Sequence, residues 1–161
     1  MKELKLIRNG VLLLDKPKGI TSNRALFFAK KIFNAKKAGH AGTLDPLASG
    51  ILPILFGEAT KFAEFGLNSD KRYIAKVAMG SKTSTGDSEG EIVRTKFFDR
   101  NLDFKPILSS FIGKQYQLPP MYSALKYKGK PLYEYARKGK KIPREMRLIH
   151  IKSLKFISLK E

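Results

Sequence analysis

Between Lys37 and Gly50 the chain reads K-A-G-H-A-G-T-L-D-P-L-A-S-G, and no other segment limits its conformation so tightly. Glycines at 39, 42 and 50 and a proline at 46 leave neither helix nor strand free to propagate through it. A loop is therefore expected, with backbone able to approach a ligand and one carboxylate, Asp45, near its centre. For an arbitrary Asp-Pro pair the ordinary reading is a turn whose aspartate accepts local N–H groups. The other reading is a side chain presented at a fixed place to act on a ligand.

Short elements are expected on either side. Val11 to Leu14 reads as a buried strand closed by Asp15-Lys16-Pro17-Lys18-Gly19. Thr21 or Ser22 can cap a helix whose Ala25, Phe28, Ala29, Ile32 and Phe33 share one face. Ile51 to Phe56 is a strand or a short helix, and Pro53 leaves both open. Glu58 to Leu67 reads as helix. In Arg72 to Met79, alternation of Tyr73, Ala75, Val77 and Met79 predicts a half-buried strand that points Tyr73 inward. A polar loop over Ser81 to Gly90 precedes a returning strand from Ile92 to Phe97. A helix over Leu102 to Ile112, a strand over Lys114 to Leu118 and an alternating strand over Ile149 to Leu159 complete the pattern. Strands outnumber long helices and connections are short, which predicts an α+β fold: a mixed, largely antiparallel sheet flanked by helices.

At 161 residues and 42% apolar side chains, the chain is long enough for a core and is expected to be one domain. Its 32 Lys and Arg face 14 Asp and Glu, a formal charge of +18 that points to a polyanionic partner. No stretch is long and apolar enough to span a bilayer, so no membrane partner is expected. The N-terminal residues carry no uninterrupted apolar run of the secretory type. The absence of cysteine excludes disulfides and thiolate metal sites and fits a reducing cytoplasm; with only His40 and His150, no metal site is expected.

The basic excess concentrates between Lys126 and Arg147, where 22 residues hold nine Lys or Arg and only Glu134 and Glu145 as acids. Lys126, Lys128, Lys130, Arg137, Lys138, Lys140 and Lys141 are interleaved with Tyr127, Tyr133 and Tyr135, a composition suited to a phosphate backbone with exposed bases. The ordinary alternative is a solvated basic helix from about Pro131 to Arg137, ended by Gly139.

Residues 37–50 resemble the catalytic motif of the TruB family of tRNA pseudouridine synthases, whose nucleophile is the aspartate of G-T-L-D-P. Other segments carry the same resemblance. Gly10 to Ser22, G-V-L-L-L-D-K-P-K-G-I-T-S, is similar to the family's first motif. Lys71 to Gly90 is similar to its second, with Tyr73 where the family packs a tyrosine on the target base. Gln117 to Gly139, with P-P-M-Y-S-A-L-K-Y-K-G-K-P-L-Y-E-Y-A-R-K-G, is similar to the segment that grips RNA. The likeness spans roughly residues 8–158. It is nearest to bacterial and organellar enzymes acting alone on uridine 55 of the tRNA T loop, rather than to the guide-RNA-dependent relatives.

The resemblance implies a pseudouridine-synthase α+β fold, Asp45 as nucleophile and no cofactor. It further implies Tyr73 and His40 at the target base, Lys16 and Pro17 shaping the pocket, and residues 126–147 as a flexible thumb closing on the T stem-loop. No obligatory protein partner is implied. The chemistry is coherent: breaking an N-glycosidic bond, turning the base and rejoining it through C5 needs a nucleophile that can form and release a covalent bond, and a carboxylate, ionised at neutral pH without a dedicated base, can do so. Taken alone, Tyr73 is as well explained by core packing and His40 by the surface of a loop. Arg72, Lys82, Thr83 and Asp87 are weaker candidates, better explained by loop structure.

A reader rather than an enzyme is the competing class. G-H-A-G at 39–42 superficially fits the GxxG loop of a KH module, but T-L-D-P-L follows where an apolar helix is required. Neither G-x-x-x-x-G-K-[ST] nor H-E-x-x-H occurs. The sequence departs from the family where it stops: the downstream G-T-Y-I-R type of motif and the C-terminal RNA-binding domain are expected to be missing. Residues 1–161 are thus expected to be a partial catalytic domain, with an RNA-binding fragment lacking catalytic activity as the alternative.

Overall fold

A computed structural model describes residues 6–160, which form two compact units, one ending at Ile74 and the other starting at Ala75. The first unit is built on a three-stranded antiparallel sheet ordered β1-β3-β2. β1 (Gly10–Lys16) pairs along its length with β3 (Gly50–Phe56), setting Leu12 opposite Ile54 and Leu14 opposite Leu52. β2 (Ala38–His40) flanks β3 on the other side, with His40 also opposite Ile54. Directly opposed residues share a face, so Leu12, Leu14, Ala38, Leu52, Ile54 and Phe56 form one apolar surface. Helix α1 (Ser22–Ile32) covers it with Ala25, Leu26 and Ala29.

The face away from α1 is largely open, although Leu55 is buried there. Val11 and Leu13 are exposed, which corrects the expectation of a buried strand; the strand itself forms as expected. In α1 only Ala25 and Ala29 of the expected stripe are buried, while Phe28, Ile32 and Phe33 stay largely open. The small alanines bring the helix close to the sheet, and bulky neighbours are left at the rim, where the Phe33 ring meets Phe56 at 5.1 Å. The open choice at Ile51 to Phe56 resolves to a strand. Pro53 is tolerated in this central position because its carbonyl, and hence its nitrogen, faces the point where β2 has ended: Ala41 N–H donates to Pro53 O at 3.0 Å. After β3 the chain forms a 3₁₀ turn (Gly57–Phe62) that passes into α2 (Ala63–Asn68), within the expected helical span. A Cβ at Gly66 would collide with Ala41, so only glycine lets α2 lie directly on the residue after His40.

In the second unit, β4 (Ser81–Thr83) pairs with β5 (Ile92–Thr95), and β6 (Gly113–Gln117) with β9 (Arg147–Ile151), all antiparallel. Helix α3 (Phe104–Ser110) is capped by the Asp103 carboxylate, which accepts from Lys105 N–H at 2.9 Å. A two-residue ladder, β7 (Lys126–Tyr127) with β8 (Lys130–Pro131), leads into α4 (Leu132–Arg137). Apart from one isolated parallel bridge between Leu6 and Ala35, every described ladder is antiparallel, as the α+β reading requires.

Two expected strands differ. Arg72 to Met79 forms no ladder among the described residues; with no neighbouring backbone to pair with, the alternating side chains lie in irregular chain and Tyr73, Ile74 and Val77 are exposed. The strand expected over Ile149 to Leu159 ends at Ile151, where its partner β6 begins at Gly113. Beyond it Phe156 leaves the ladder to stack on Phe104 at 4.8 Å.

Between β4 and β5 the polar loop folds around Asp87. Its carboxylate accepts from the Thr85 hydroxyl at 2.6 Å and from Glu89 N–H at 2.9 Å, and its carbonyl accepts from the Thr83 hydroxyl at 2.7 Å. These donors, Thr85 first, hold the Asp87 carboxyl below the usual aspartate range. A carboxyl lowered in the folded state contributes loop stability that is complete above the ordinary aspartate value of ~3.9 and is lost as pH falls through the lower folded value. Amide exchange at Glu89 is therefore expected to stay slow at pH 5–6 and to accelerate in strong acid beyond the intrinsic trend. In Asp87→Asn that acid-dependent step should vanish, and its persistence there would remove Asp87 as the cause.

Candidate active site

Asp45 lies in the loop joining β2 to β3, and the residues on both sides of it are tied to the N-terminal end of α1. The Ser22 hydroxyl, 3% exposed, accepts from Leu44 N–H and donates to Leu44 C=O, both at 2.9 Å. On the far side Gly19 N–H donates to Pro46 C=O at 2.8 Å. Between these ties Asp45 opens a β-turn: its carbonyl accepts from Ala48 N–H at 3.0 Å, and Pro46 holds the second position, for which its ring is preset. The backbone is thus fixed on both sides while the side chain is exposed. Among the described residues the Asp45 carboxylate has no hydrogen bond or ion pair, unlike the carboxylates of Asp87 and Asp103. The turn is the ordinary one; the engaged aspartate of the ordinary reading is not there.

The other candidates of this unit arrange themselves around that loop. Lys16, at the end of β1, is wholly buried and its Nζ donates to the carbonyls of Pro17 and Ile20, each at 2.9 Å. It therefore closes the loop that carries Gly19, Thr21 and Ser22, with Pro17 inside the closure. His40 is half-buried on the α1 face of the sheet, its Nε2 lying 3.2 Å from Asn23 Oδ1, while Nδ1 is buried without a partner among the described residues. Tyr73 corrects its expectation: it is 70% exposed rather than turned inward, because the strand that would have fixed its phase does not form.

Sequence reasoning overlooked Ser22 and Asn23. Thr21 and Ser22 competed for the role of cap; Thr21 takes it, accepting from Arg24 N–H at 3.1 Å, which frees Ser22 for the loop. The signal was a second small hydroxyl directly after a cap that needs only one.

In the other unit, the basic segment is a hairpin followed by a helix. Lys128 and Gly129 both have positive φ, as a two-residue hairpin turn demands. The Tyr135 hydroxyl donates to Tyr127 C=O at 3.1 Å and the two rings meet edge to face, so the helix is folded back on the hairpin. Gly139, at φ +68°, ends α4. Lys126, Lys128, Lys130, Arg137, Lys138, Lys140 and Lys141 are all exposed. Among the described residues none is in an ion pair; Lys128 and Arg137 instead lie over the rings of Tyr127 and Tyr133. Arg144 differs, donating to Pro119 C=O at 2.7 Å in a structural role. No group of described His, Cys, Asp or Glu side chains is placed to hold a metal, and no described helix is long and apolar enough to cross a membrane.

These features define a strongly basic α+β protein that presents a lone carboxylate on a pinned loop. Comparison with known proteins makes the class specific. Residues 30–161 match the model of the TruB family pseudouridylate synthase (N terminal domain), and the chain belongs to that family. It is 58% identical over 144 residues to tRNA pseudouridine synthase B of Vibrio campbellii, covering 89% of this chain and 46% of the relative. Against the protein of the same name from Neisseria meningitidis the identity is 56%, covering 89% and 47%. The chain thus spans about half the length of the curated relatives it matches. Among solved structures, one of a Cbf5-Nop10-Gar1 complex aligns over 88% of this chain and 33% of the other with a TM-score of 0.51 and 27% identity.

Removing the buried Ser22 hydroxyl leaves the N–H and C=O of half-buried Leu44 without their partner. Ser22→Ala is expected to cost ~1–3 kcal/mol of unfolding free energy and to speed amide exchange at Leu44, while Thr21→Ala should leave Leu44 exchange unchanged. Denaturant titration with residue-resolved exchange checks both; unaltered Leu44 protection in Ser22→Ala would refute the tie.

Proposed function

We propose that this chain is the nucleophile-bearing part of a tRNA pseudouridine synthase, and that Asp45 acts in converting uridine to pseudouridine in the T loop, at position 55. The observation that carries this reading is the 58% identity, across 89% of the chain, to a protein named tRNA pseudouridine synthase B. Residues 1–161 are then part of the catalytic domain, and 126–147 its RNA-gripping thumb.

The geometry of the loop supports the role given to Asp45. A carboxylate that must attack a nucleotide, hold it covalently and release it has to be within the nucleotide's reach and held by a fixed backbone. Asp45 is exposed, and Ser22 and Gly19 fix the backbone on either side of it. The target base must leave the T-loop stack, at a cost of roughly a few kcal/mol that contacts with the protein offset. We assign the exposed Tyr73 ring to stacking on that base, His40 to contact with the displaced nucleotide, and Lys16 and Pro17 to the shape of the pocket wall. The cations from Lys126 to Lys141, exposed and without ion pairs among the described residues, suit a phosphate backbone and supply affinity rather than chemistry.

Asp45→Asn is nearly isosteric and keeps the turn. In a chimera where this chain replaces the matching segment of the Vibrio campbellii protein, it is expected to lower pseudouridine formation by ~10³-fold or more, with tRNA binding within a few-fold of the parent. Turnover by the Asn variant at the parental rate would leave only an RNA-binding role. For the thumb, replacing Lys138, Lys140 and Lys141 with Gln should reduce the log–log salt slope of RNA affinity by about 2, since each neutralised phosphate contributes ~0.7–0.9. An unchanged slope would place the phosphate contacts elsewhere.

A further inference from the structure

The hairpin of β4 and β5 carries a charge arrangement that the thumb does not explain. Lys82 and Arg94 stand directly opposite each other in the ladder, so their side chains leave the same face. Lys96, two residues after Arg94, extends that face, and its N–H continues the ladder by donating to Gly80 C=O at 2.8 Å. Like charges set opposite each other across a ladder destabilise it. Among the described residues no acid pairs with any of the three, although the hairpin loop contains Asp87 and Glu89, whose carboxyl groups lie at the other end.

Gly80 brings no side chain to the near end of the face, which Phe98 borders, its Cβ 3.4 Å from where a Gly80 Cβ would stand. It has φ +75°, and a Cβ there would come within 2.8 Å of Lys96 O, so the residue opposite Lys96 brings no side chain. Lys82, Arg94, Lys96 and Phe97 together line an open groove of about 320 Å³. Phe97 is 95% exposed, an aromatic ring beside a cation row with nothing of its own unit against it.

We propose that this hairpin is a second RNA-contact surface, in which Lys82, Arg94 and Lys96 hold a phosphodiester backbone and Phe97 stacks on an unpaired base. The proposal rests on the reading that the substrate is RNA, and it concerns a different surface from the thumb. The reason is electrostatic and steric together. A repulsive row without an internal counter-charge is relieved when an anionic backbone lies along it. An exposed ring next to such a row offers the stacking platform that single-stranded segments use. Arg94 and Lys96, alternate residues of one strand at about 3.3 Å per residue, stand ~7 Å apart, a spacing commensurate with successive phosphates of an extended strand, and Lys82 faces the same side from across the ladder.

The test separates binding from folding by a substitution that moves them in opposite directions. Arg94→Glu places a carboxylate opposite Lys82, so the hairpin should be as stable as the parent or more so, while RNA binding weakens. The probe is a T-stem-loop RNA titrated into the 161-residue chain by fluorescence anisotropy at several salt concentrations, with thermal melts alongside. Lys82→Gln, Arg94→Gln and Lys96→Gln together are expected to weaken binding at least tenfold and to reduce the salt slope by about 2. Phe97→Ala should weaken binding several-fold with the slope unchanged. If the hairpin triple leaves both affinity and slope at parental values while the thumb triple flattens the slope, the hairpin proposal is overturned and the RNA reading stands. If the unaltered chain does not bind the probe, both fall. A loss of binding in Arg94→Glu accompanied by a lowered melting temperature would assign these residues to folding and also overturn the proposal.

Discussion

The first unit depends on how the chain closes between β1 and α1. Lys16 is wholly buried, and its Nζ spends two hydrogen bonds on the carbonyls of Pro17 and Ile20. A buried ammonium with no partner would be costly, and the carbonyls of exposed Pro17 and half-buried Ile20 supply its two acceptors. The ammonium thus requires these carbonyls, and the closure delivers Gly19, Thr21 and Ser22 at set positions. Thr21 caps the helix, Ser22 and Gly19 hold the backbone on either side of Asp45, and Asn23 meets His40. The ties on both sides of the carboxylate come from the segment that this closure shapes.

The packing behind it is thin but well placed. Ala25 and Ala29 let α1 approach the sheet closely enough for Ser22 to reach Leu44, and Leu52 and Ile54 fill the space beneath at ~1.5–3 kcal/mol for each fully buried side chain. Gly66 performs the corresponding service on the other side, where any side chain would push α2 away from Ala41. Small residues here set distance rather than flexibility.

Electrostatically the chain is lopsided by design of its sequence, with 32 basic and 14 acidic residues. The acids with described roles are largely occupied locally: Asp87 and Asp103 by their own loops, Glu58 by Lys61. The thumb cations and the hairpin row are left without internal counter-charges among the described residues. Surface cations of this kind contribute little to folding. Their natural complement is a polyanion, and the two surfaces differ in how they would read one: the thumb folds its cations around tyrosines, the hairpin sets them on one face of a two-stranded ladder.

The loop at Asp45 was legible because glycine and proline act locally, at Gly42 and Pro46 above all; Gly39 and Gly50, expected to interrupt strands, instead lie in β2 and β3, where a neighbouring backbone pairs with them. The helix start at Thr21 or Ser22 and the stop at Gly139 were legible from equally local chemistry, whereas the hairpin at Lys128-Gly129 was not foreseen. Net charge, the basic segment and the resemblance of the motifs also needed no structure. What needed tertiary structure was everything that depends on a partner. The alternation from Tyr73 to Met79 satisfies a strand pattern, yet a strand exists only where another backbone takes its hydrogen bonds, and here none among the described residues does. The apolar run from Ile149 past Phe156 splits at Ile151, opposite the start of β6, and its later half turns to Phe104. Ser22 looked like a cap because caps are local; its bond to Leu44 joins residues 22 positions apart, and only the folded chain could show which of two adjacent hydroxyls makes it. Local stereochemistry is written in the sequence, whereas pairing and long-range hydrogen bonds are decided by which surfaces meet.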